Sequence, residues 1–179
     1  MNCLLHCCCA PCSIKCVDSL INEDIAADLF WYNPNIHPAT EYLNRRDTFI
    51  NYARNYGLNY SLADEYGLRM FIIGVSANLD NRCEYCYKIR LEATAAYAAK
   101  NNYDCFSTTL LISPYQNHDL LRLVAEETSR RFNIPFLYRD FRSLFREGQK
   151  IARDSAFYMQ KYCGCIFSEE ERYKKRLTS

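Results

Sequence analysis

The stretch Leu4-Leu5-His6-Cys7-Cys8-Cys9-Ala10-Pro11-Cys12 decides the fold. Its apolar beginning predicts a buried first strand over residues 3–8. The strand should end before Pro11, because proline has no backbone N–H to donate to a strand ladder. Four of the six residues 7–12 are cysteines. Because thiolate ligands must converge on one centre to bind a soft metal, this crowding predicts a metal site directly behind the strand.

Two further cysteine pairs are the expected partners of these N-terminal thiols. Cys83-x-x-Cys86 opens an alanine-rich helix, where free N–H groups and the helix dipole favour thiolates. In Cys163-Gly164-Cys165 the glycine permits a sharp turn, so both sulfurs can address one metal or close a strained, reducible disulfide. Ordinary buried thiols are the alternative for both pairs. The remaining cysteines are expected to be core residues: Cys3, Cys7, Cys16 and Cys105.

Length and composition predict a single α/β domain over residues 1–179. Hydrophobic residues make up 49% of the chain and charged residues 24%, as in a globular protein. The net charge of +1 provides no overall field for a polyanion, so nucleic acid would have to bind a local patch. The sequence shows no run of about 18 apolar residues and no signal-peptide pattern, which predicts a cytoplasmic protein with no membrane partner.

Eleven cysteines in a cytoplasmic domain of this size indicate metal binding or redox chemistry rather than a disulfide framework. Zinc and iron–sulfur clusters are both compatible with thiolates alone. Consecutive side chains are expected to diverge, so Cys8 and Cys9 should suit a cluster better than one tetrahedral zinc ion. The four-thiolate set favoured by this argument is Cys8, Cys9, Cys83 and Cys86.

Strand-like and helix-like segments alternate, which predicts a Rossmann-like, doubly wound, mostly parallel sheet with helices on both faces. Strands are predicted at residues 3–8, 26–32, 58–62, 104–108 and 135–138. Helices are predicted at residues 13–20, with Ser13 as N-cap, and at 39–56, 83–101, 119–132, 148–159 and 169–176. Ligands of such folds bind beyond the carboxyl ends of the strands, so three segments should share one site: Cys8–Cys12, Asn33–Pro38 and Thr108–Pro114.

Polar side chains in these segments are candidate substrate contacts, with turn chemistry and strand-end hydrogen bonding as the alternative. They are Asn33, Asn35, Glu41, Thr108, Thr109 and Ser113. His6 is expected to be a hydrogen-bonded core residue rather than a ligand. The glycines are too far apart for a phosphate-binding loop, which disfavours nucleotide chemistry.

With these residues in view, the sequence closely resembles the epoxyqueuosine reductase QueH family over nearly the whole chain. Several blocks in the same order carry the resemblance. They are His6–Cys12, Asn33–Pro38 followed by Glu41, Tyr42 and Arg45, then Arg82–Cys86, Arg90–Ala95, Thr108–Pro114 and Tyr158–Cys165.

The resemblance implies removal of the epoxide oxygen from epoxyqueuosine in the anticodon loop of tRNA, the last step of queuosine biosynthesis, without cobalamin. It also implies a 4Fe-4S cluster, placed on the four thiolates above, and an external electron donor. The other thiols have two alternative roles. In the first, Cys12 holds a second, mononuclear iron together with either Cys163 or Cys165. In the second, Cys163 and Cys165 act as a redox dithiol.

Further candidate substrate contacts lie within the matched blocks: Arg82, Tyr158 and Gln160. Tyr32 or Tyr158 is expected to stack on the extruded nucleotide. Two other classes compete with this interpretation. A structural zinc domain that binds RNA would be colourless and without redox activity, and a tRNA thiol-transfer enzyme would normally need an ATP-binding glycine loop.

Overall fold

A four-stranded, all-parallel sheet in the order β3-β2-β1-β4 forms the centre of the molecule. The computed structural model describes residues 1–177. The strands are β1 (Asn2–His6), β2 (Ala26–Trp31), β3 (Tyr60–Leu62) and β4 (Cys105–Thr108). The predicted Rossmann-like α/β fold is confirmed.

The first strand lies between two neighbours. Leu5 pairs with Leu29 of β2 on one side and with Ser107 of β4 on the other. Residues 3–6 are completely buried. A strand covered on both edges and both faces needs a continuous apolar run, which is what the N-terminal sequence provides.

The α-helices cover both faces of the sheet. They are α1 (Ala10–Asn22), α2 (Ala39–Asn55), α3 (Leu68–Val75), α4 (Arg82–Lys100), α5 (His118–Phe132), α6 (Phe145–Asp154) and α7 (Ile166–Leu177). Helix α1 connects β1 to β2 and α2 connects β2 to β3, so the chain first moves toward the β3 edge of the sheet. Helix α4 then returns the chain to β4 at the opposite edge. Right-handed crossovers therefore place α4 on the opposite face from α1. In agreement, α1 packs against α6 and α4 packs against α5.

Several predicted element boundaries are wrong. Helix α1 begins at Ala10 rather than Ser13, because Pro11 is well suited to the first helical turn; Ser13 donates to the Cys9 carbonyl at 2.8 Å instead of capping. Residues 109–112, for which no helix is predicted, form a 3-10 helix. Helix α6 runs over Phe145–Asp154 rather than residues 148–159, and Ala156 follows in the left-handed region.

The predicted last strand at residues 135–138 is reduced to a single bridge between Phe106 and Phe136. Residues 64–81, for which no strand or helix is predicted, contain α3 and a short 3-10 helix at Leu79–Asn81. No helix within residues 1–177 is long and apolar enough to cross a membrane. The cysteines expected in the core are buried there: Cys3, Cys7, Cys16 and Cys105.

Candidate metal centre

Three thiols meet where β1 passes into α1. The sulfur atoms of Cys8, Cys9 and Cys12, called here the N-terminal thiol cluster, all lie within 4.8 Å of one another. The Cys8 and Cys9 sulfurs are 3.8 Å apart, so the expectation that consecutive side chains diverge is wrong. Two sulfurs bound at about 2.3 Å to one tetrahedral ion are separated by a similar distance, so the cluster suits a shared metal.

Residues from the neighbouring strand ends hold this cluster in place. Thr109, after β4, accepts from the Cys8 backbone N–H at 3.1 Å and donates to the Cys8 sulfur at 3.4 Å. Asn33, after β2, donates to the Cys7 carbonyl at 2.9 Å. The Gln160 amide nitrogen contacts the Cys9 sulfur at 2.9 Å. Contacts thus join the carboxyl ends of β1, β2 and β4, as predicted for a fold of this type.

The four remaining candidate ligands line a second cavity. This small cavity of about 230 Å³ is bordered by both cysteine pairs: Cys83, Cys86, Cys163 and Cys165. Cys86 and Cys165 are buried, whereas Cys83 and Cys163 are exposed. The turn at Gly164 therefore presents one thiol of its pair to solvent and holds the other inside.

Cys163 connects the two thiol groups. A large cavity of about 450 Å³ is lined by Cys8, Cys12 and Cys163, and Cys163 also lines the small cavity. The Gln116 amide donates to the Cys163 sulfur at 3.3 Å, and Tyr87 donates to the Gln116 carbonyl oxygen at 2.8 Å. The Cys163 sulfur consequently has an oriented donor and access to both groups of thiols.

Arg90 is a functional candidate that was not predicted from the sequence. It is buried on α4, where its Nη2 donates to the Cys86 sulfur at 3.0 Å and its Nε to the Cys86 carbonyl at 2.9 Å. Burial lowers the pKa of Arg90, but the charges of Cys86, Cys163 and Cys8 outweigh that effect and raise the pKa overall. Arg90 therefore lies within electrostatic reach of thiols from all three segments.

No carboxylate within residues 1–177 forms an ion pair with Arg90. A buried charge without a partner is costly, so this position calls for a nearby negative charge. Thiolates that carry a metal ion or an iron–sulfur cluster form an anionic group of this kind. The donor set and its buried cation both fit such a group.

Burial opposes ionisation of the thiols at the start of α4. It raises the pKa of Cys86 to about 12 and also raises the pKa of Cys83. Burial therefore outweighs the nearby positive charge of Arg82, which lowers the pKa of Cys83. In the N-terminal thiol cluster, hydrogen bonds from Cys12 and Cys9 hold the pKa of Cys8 well below its usual value. A bound cation would deprotonate the other thiols.

The loop that carries Cys163 and Cys165 is fixed by a buried ion pair on α2. Arg45 Nη2 lies 2.6 Å from a Glu41 carboxylate oxygen, and Arg45 donates to the carbonyls of Tyr162 and Cys163 at 2.9 and 2.8 Å. Tyr158 donates to the other oxygen of Glu41. Glu41 and Tyr158, both predicted as substrate contacts, are thus bound to neighbours within the protein.

Of the other predicted substrate residues, Thr108 has a structural role and four more face a cavity. Thr108 is buried, with its hydroxyl 2.9 Å from His6 Nδ1 and 3.2 Å from the Leu110 N–H, so it stabilises the strand end. The four others face a cavity: Ser113 and Gln160 line the large one, and Asn35 and Arg82 the small one. The Asn33, Asn35 and Gln160 side-chain carbonyls are buried and have no hydrogen-bond partner among the described residues.

His6 is buried as expected. Its Nδ1 lies 2.9 Å from the Thr108 hydroxyl and its Nε2 lies 3.2 Å from the Tyr32 carbonyl. Burial and the nearby Arg90 charge lower the pKa of His6 to about 4, so the ring is neutral at physiological pH. Both ring nitrogens are occupied by protein partners, which agrees with a structural role.

Known proteins resemble this chain in sequence and in fold. Proteins named epoxyqueuosine reductase QueH from Dehalococcoides mccartyi and Thermotoga maritima are 37% and 33% identical to it, over 96% of the chain and 94% and 92% of their own lengths. A crystal structure described as a predicted subunit of tRNA methyltransferase from Methanocaldococcus jannaschii superposes with a TM-score of 0.58 at 13% identity. It covers 98% of this chain and 88% of that chain, which supports the fold assignment alone.

The family model for epoxyqueuosine reductase QueH matches residues 3–171, a range that contains every thiol of the two groups described above. The chain belongs to the epoxyqueuosine reductase QueH family.

Proposed function

We propose that this protein reduces epoxyqueuosine to queuosine in the anticodon loop of tRNA, as the last step of queuosine biosynthesis. The names of its relatives support this activity. The structural observation that carries the proposal is the buried guanidinium of Arg90, which donates to the Cys86 sulfur at 3.0 Å and whose pKa is raised by the charges of Cys86, Cys163 and Cys8. Such an arrangement is suited to electron transfer to a substrate in the adjacent large cavity.

The reaction removes one oxygen atom and forms one carbon–carbon double bond. Two electrons and two protons enter, both C–O bonds of the epoxide break, and the oxygen leaves as water. An external low-potential electron donor supplies the electrons, and no cobalamin takes part. We further propose that the chain acts as one α/β domain in the cytoplasm.

The cofactor proposed for this chemistry is a 4Fe-4S cluster bound by Cys8, Cys9, Cys83 and Cys86, which would supply electrons one at a time. The uncompensated positive charge of Arg90 supports an anionic group at this position. A second iron would be held by Cys12 together with Cys163 or Cys165. Of these two, Cys163 is favoured because it lines the same cavity as Cys12.

A dithiol formed by Cys163 and Cys165 is the alternative to the second iron. Both are free thiols on either side of Gly164, whose φ of +152° few other residues adopt. Closing a disulfide between them would release two electrons and two protons, which balances the deoxygenation without a second metal. Gln116 donates to the Cys163 sulfur and would orient it in either mechanism.

Anaerobic purification, followed by iron, zinc and sulfide analysis and by an assay on tRNA that carries epoxyqueuosine, tests the proposal. Iron and sulfide in the protein, together with queuosine in the nucleosides released from tRNA, are the expected result. Zinc without sulfide, in a protein that binds tRNA but leaves epoxyqueuosine unchanged, would support a structural zinc domain. Transfer of sulfur to tRNA would support a thiol-transfer enzyme.

A further inference from the structure

An exposed aromatic side chain stands between the two cavities. Tyr115 is 84% exposed, the highest value among the large hydrophobic side chains of residues 1–177. It lines both the large and the small cavity, as Gln116 and Cys163 also do. A substrate that enters either cavity can therefore contact this ring.

The loop that carries Tyr115 is held by several contacts. The Tyr115 backbone N–H donates to the Ser113 hydroxyl at 3.3 Å, and His118 Nε2 lies 3.0 Å from the Ser113 carbonyl. The Tyr115 ring meets the Phe145 ring edge-on, with centroids 5.9 Å apart and an interplanar angle of 83°. Because the ring is already positioned and still open to solvent, a planar ligand could stack on it at a small cost in ordering.

The charged residues around the large cavity are all cationic. They are Arg45, Lys161 and Arg172, and no carboxylate from residues 1–177 lines this cavity. Arg45 is paired with Glu41, whereas Lys161 and Arg172 form no ion pair with the described carboxylates. Two uncompensated cations beside an exposed ring match the two components of a nucleic-acid strand, its phosphates and its bases.

We propose that Tyr115 is the stacking surface for a base of the anticodon loop, with Lys161 and Arg172 binding the adjacent phosphates. This inference rests on the proposed function and deepens it by assigning the RNA contacts. Single-stranded loops expose base faces that duplexes hide, so a tyrosine at the mouth of a reaction cavity selects a loop nucleotide. This proposal assigns the stacking role to Tyr115, whereas the sequence alone suggests Tyr32 or Tyr158.

Kinetics with epoxyqueuosine-containing tRNA provide the first test. The variant Tyr115→Ala should raise KM for tRNA by about tenfold or more, because base stacking on an aromatic ring commonly contributes that much to binding. Tyr115→Phe keeps the ring and should bind tRNA like the parent protein. Tyr56→Ala is the matched control, since Tyr56 is 52% exposed but follows the far end of α2. Iron content should be unchanged in all three variants.

Fluorescence of Tyr115→Trp provides a second test that does not require catalysis. Trp31 is the sole tryptophan of the sequence and is fully buried, so a tryptophan at position 115 would report stacking there. Unmodified anticodon stem–loop RNA should quench this new fluorescence. The logarithm of the RNA-binding constant falls linearly with the logarithm of the salt concentration. Lys161→Ala and Arg172→Ala should each reduce the magnitude of this slope by roughly 0.7, the value for one phosphate contact on a single strand.

The outcomes separate this inference from the proposed function. If the parent protein reduces its tRNA substrate and Tyr115→Ala has an unchanged KM, the stacking role is overturned while the function stands. If the parent protein shows no reduction but stem–loop RNA quenches Tyr115→Trp, the function fails and the RNA contact stands. Equal quenching by a polyglutamate peptide would overturn the RNA assignment and indicate an acidic protein partner.

Discussion

Arg45 Nη1 donates a hydrogen bond of 2.8 Å to the carbonyl oxygen of Cys163, so a buried cation on α2 positions a candidate catalytic thiol near the end of the chain. The same guanidinium holds Glu41 and the Tyr162 carbonyl. A lysine ammonium cannot reproduce these planar, divergent contacts. Arg45 therefore acts as a positioning residue for the loop that contains Cys163 and Cys165.

Replacing Arg45 should damage both the fold and the loop. In Arg45→Gln the Glu41 carboxylate stays buried without its cation, so we expect a loss of about 3–5 kcal/mol in the free energy of unfolding. Urea denaturation measures this loss. Arg46→Gln is the control, because the neighbouring Arg46–Asp64 pair is partly exposed, with 24% and 46% of the two side chains accessible, and should contribute less than about 1 kcal/mol. Equal losses in the two variants would contradict the larger contribution to stability expected of the buried Arg45–Glu41 pair.

Replacing Arg90 should affect stability and iron binding in opposite directions. Arg90→Met removes a buried charge that has no carboxylate partner, so the metal-free protein should be as stable as the parent or more stable. The same change removes the positive charge beside the proposed anionic centre, so iron retention should fall. Denaturation of the metal-free protein and iron analysis of the reconstituted protein measure the two effects. A variant with undiminished iron would refute a role for Arg90 at the metal centre.

The two threonines at the carboxyl end of β4, Thr108 and Thr109, should behave differently. Thr109→Val keeps the shape of the side chain but removes its hydrogen bonds with the Cys8 N–H and sulfur, so iron content should fall. Thr108→Val removes the His6 and Leu110 contacts and should lower the free energy of unfolding by about 1–3 kcal/mol. If Thr109→Val binds iron like the parent protein, its hydroxyl does not position Cys8.

Much of this architecture could be predicted from the sequence, because the local patterns and the tertiary packing agree there. The apolar run of β1, the turn after β2 at Asn33-Pro34 and the alanine-rich stretch of α4 each indicate the element that forms. The start of α1 was misplaced although Pro11 signals a first helical turn. Helix α3 is short and contains Gly74, so its pattern gave no clear prediction.

Arg90 and the geometry of Cys8 and Cys9 could not be predicted in the same way. An arginine on a helix ordinarily lies on a solvated face; the signal available was its spacing of four residues from Cys86, which puts both on one side of α4. Consecutive cysteines converge because Cys9 is the N-cap at which strand passes into helix, so the alternation of a strand no longer applies. The burial of Arg90 and the convergence of the two sulfurs both depend on the packing and junctions of secondary-structure elements, which local sequence patterns do not encode.

Gly164 provides a test of the thiol loop. Its φ of +152° and an added Cβ only 3.3 Å from Ile36 and 3.4 Å from Arg45 should make Gly164→Ala strained and displace Cys163. Gly57→Ala is the control: Gly57 also has a positive φ, +63°, but open space around its Cα. Both variants should be destabilised, whereas only Gly164→Ala should change the rate at which Cys163 reacts with a thiol reagent. Equal reactivity in both variants would show that the turn does not control this thiol.

Stability should also depend on the protonation of His37. Burial lowers the pKa of His37 to about 4, and its Nε2 is buried without a hydrogen-bond partner among the described residues. Between pH 6.5, the usual value, and pH 4 the unfolded chain binds the proton more readily, so stability should fall as the pH falls through this window. Comparing His37→Gln with the parent protein by denaturation across that range isolates the effect. An identical pH slope in both would contradict it.

Iron analysis of two serine variants tests the central claim, that thiols distant in the sequence bind one metal centre. Cys86 and Cys105 are both buried cysteines, but Cys86 contacts Arg90 in the site and Cys105 lies in the β4 strand of the core. After anaerobic reconstitution, Cys86→Ser should lose most of its iron and sulfide, and Cys105→Ser should keep them. Iron and sulfide retained equally by both variants would contradict the account.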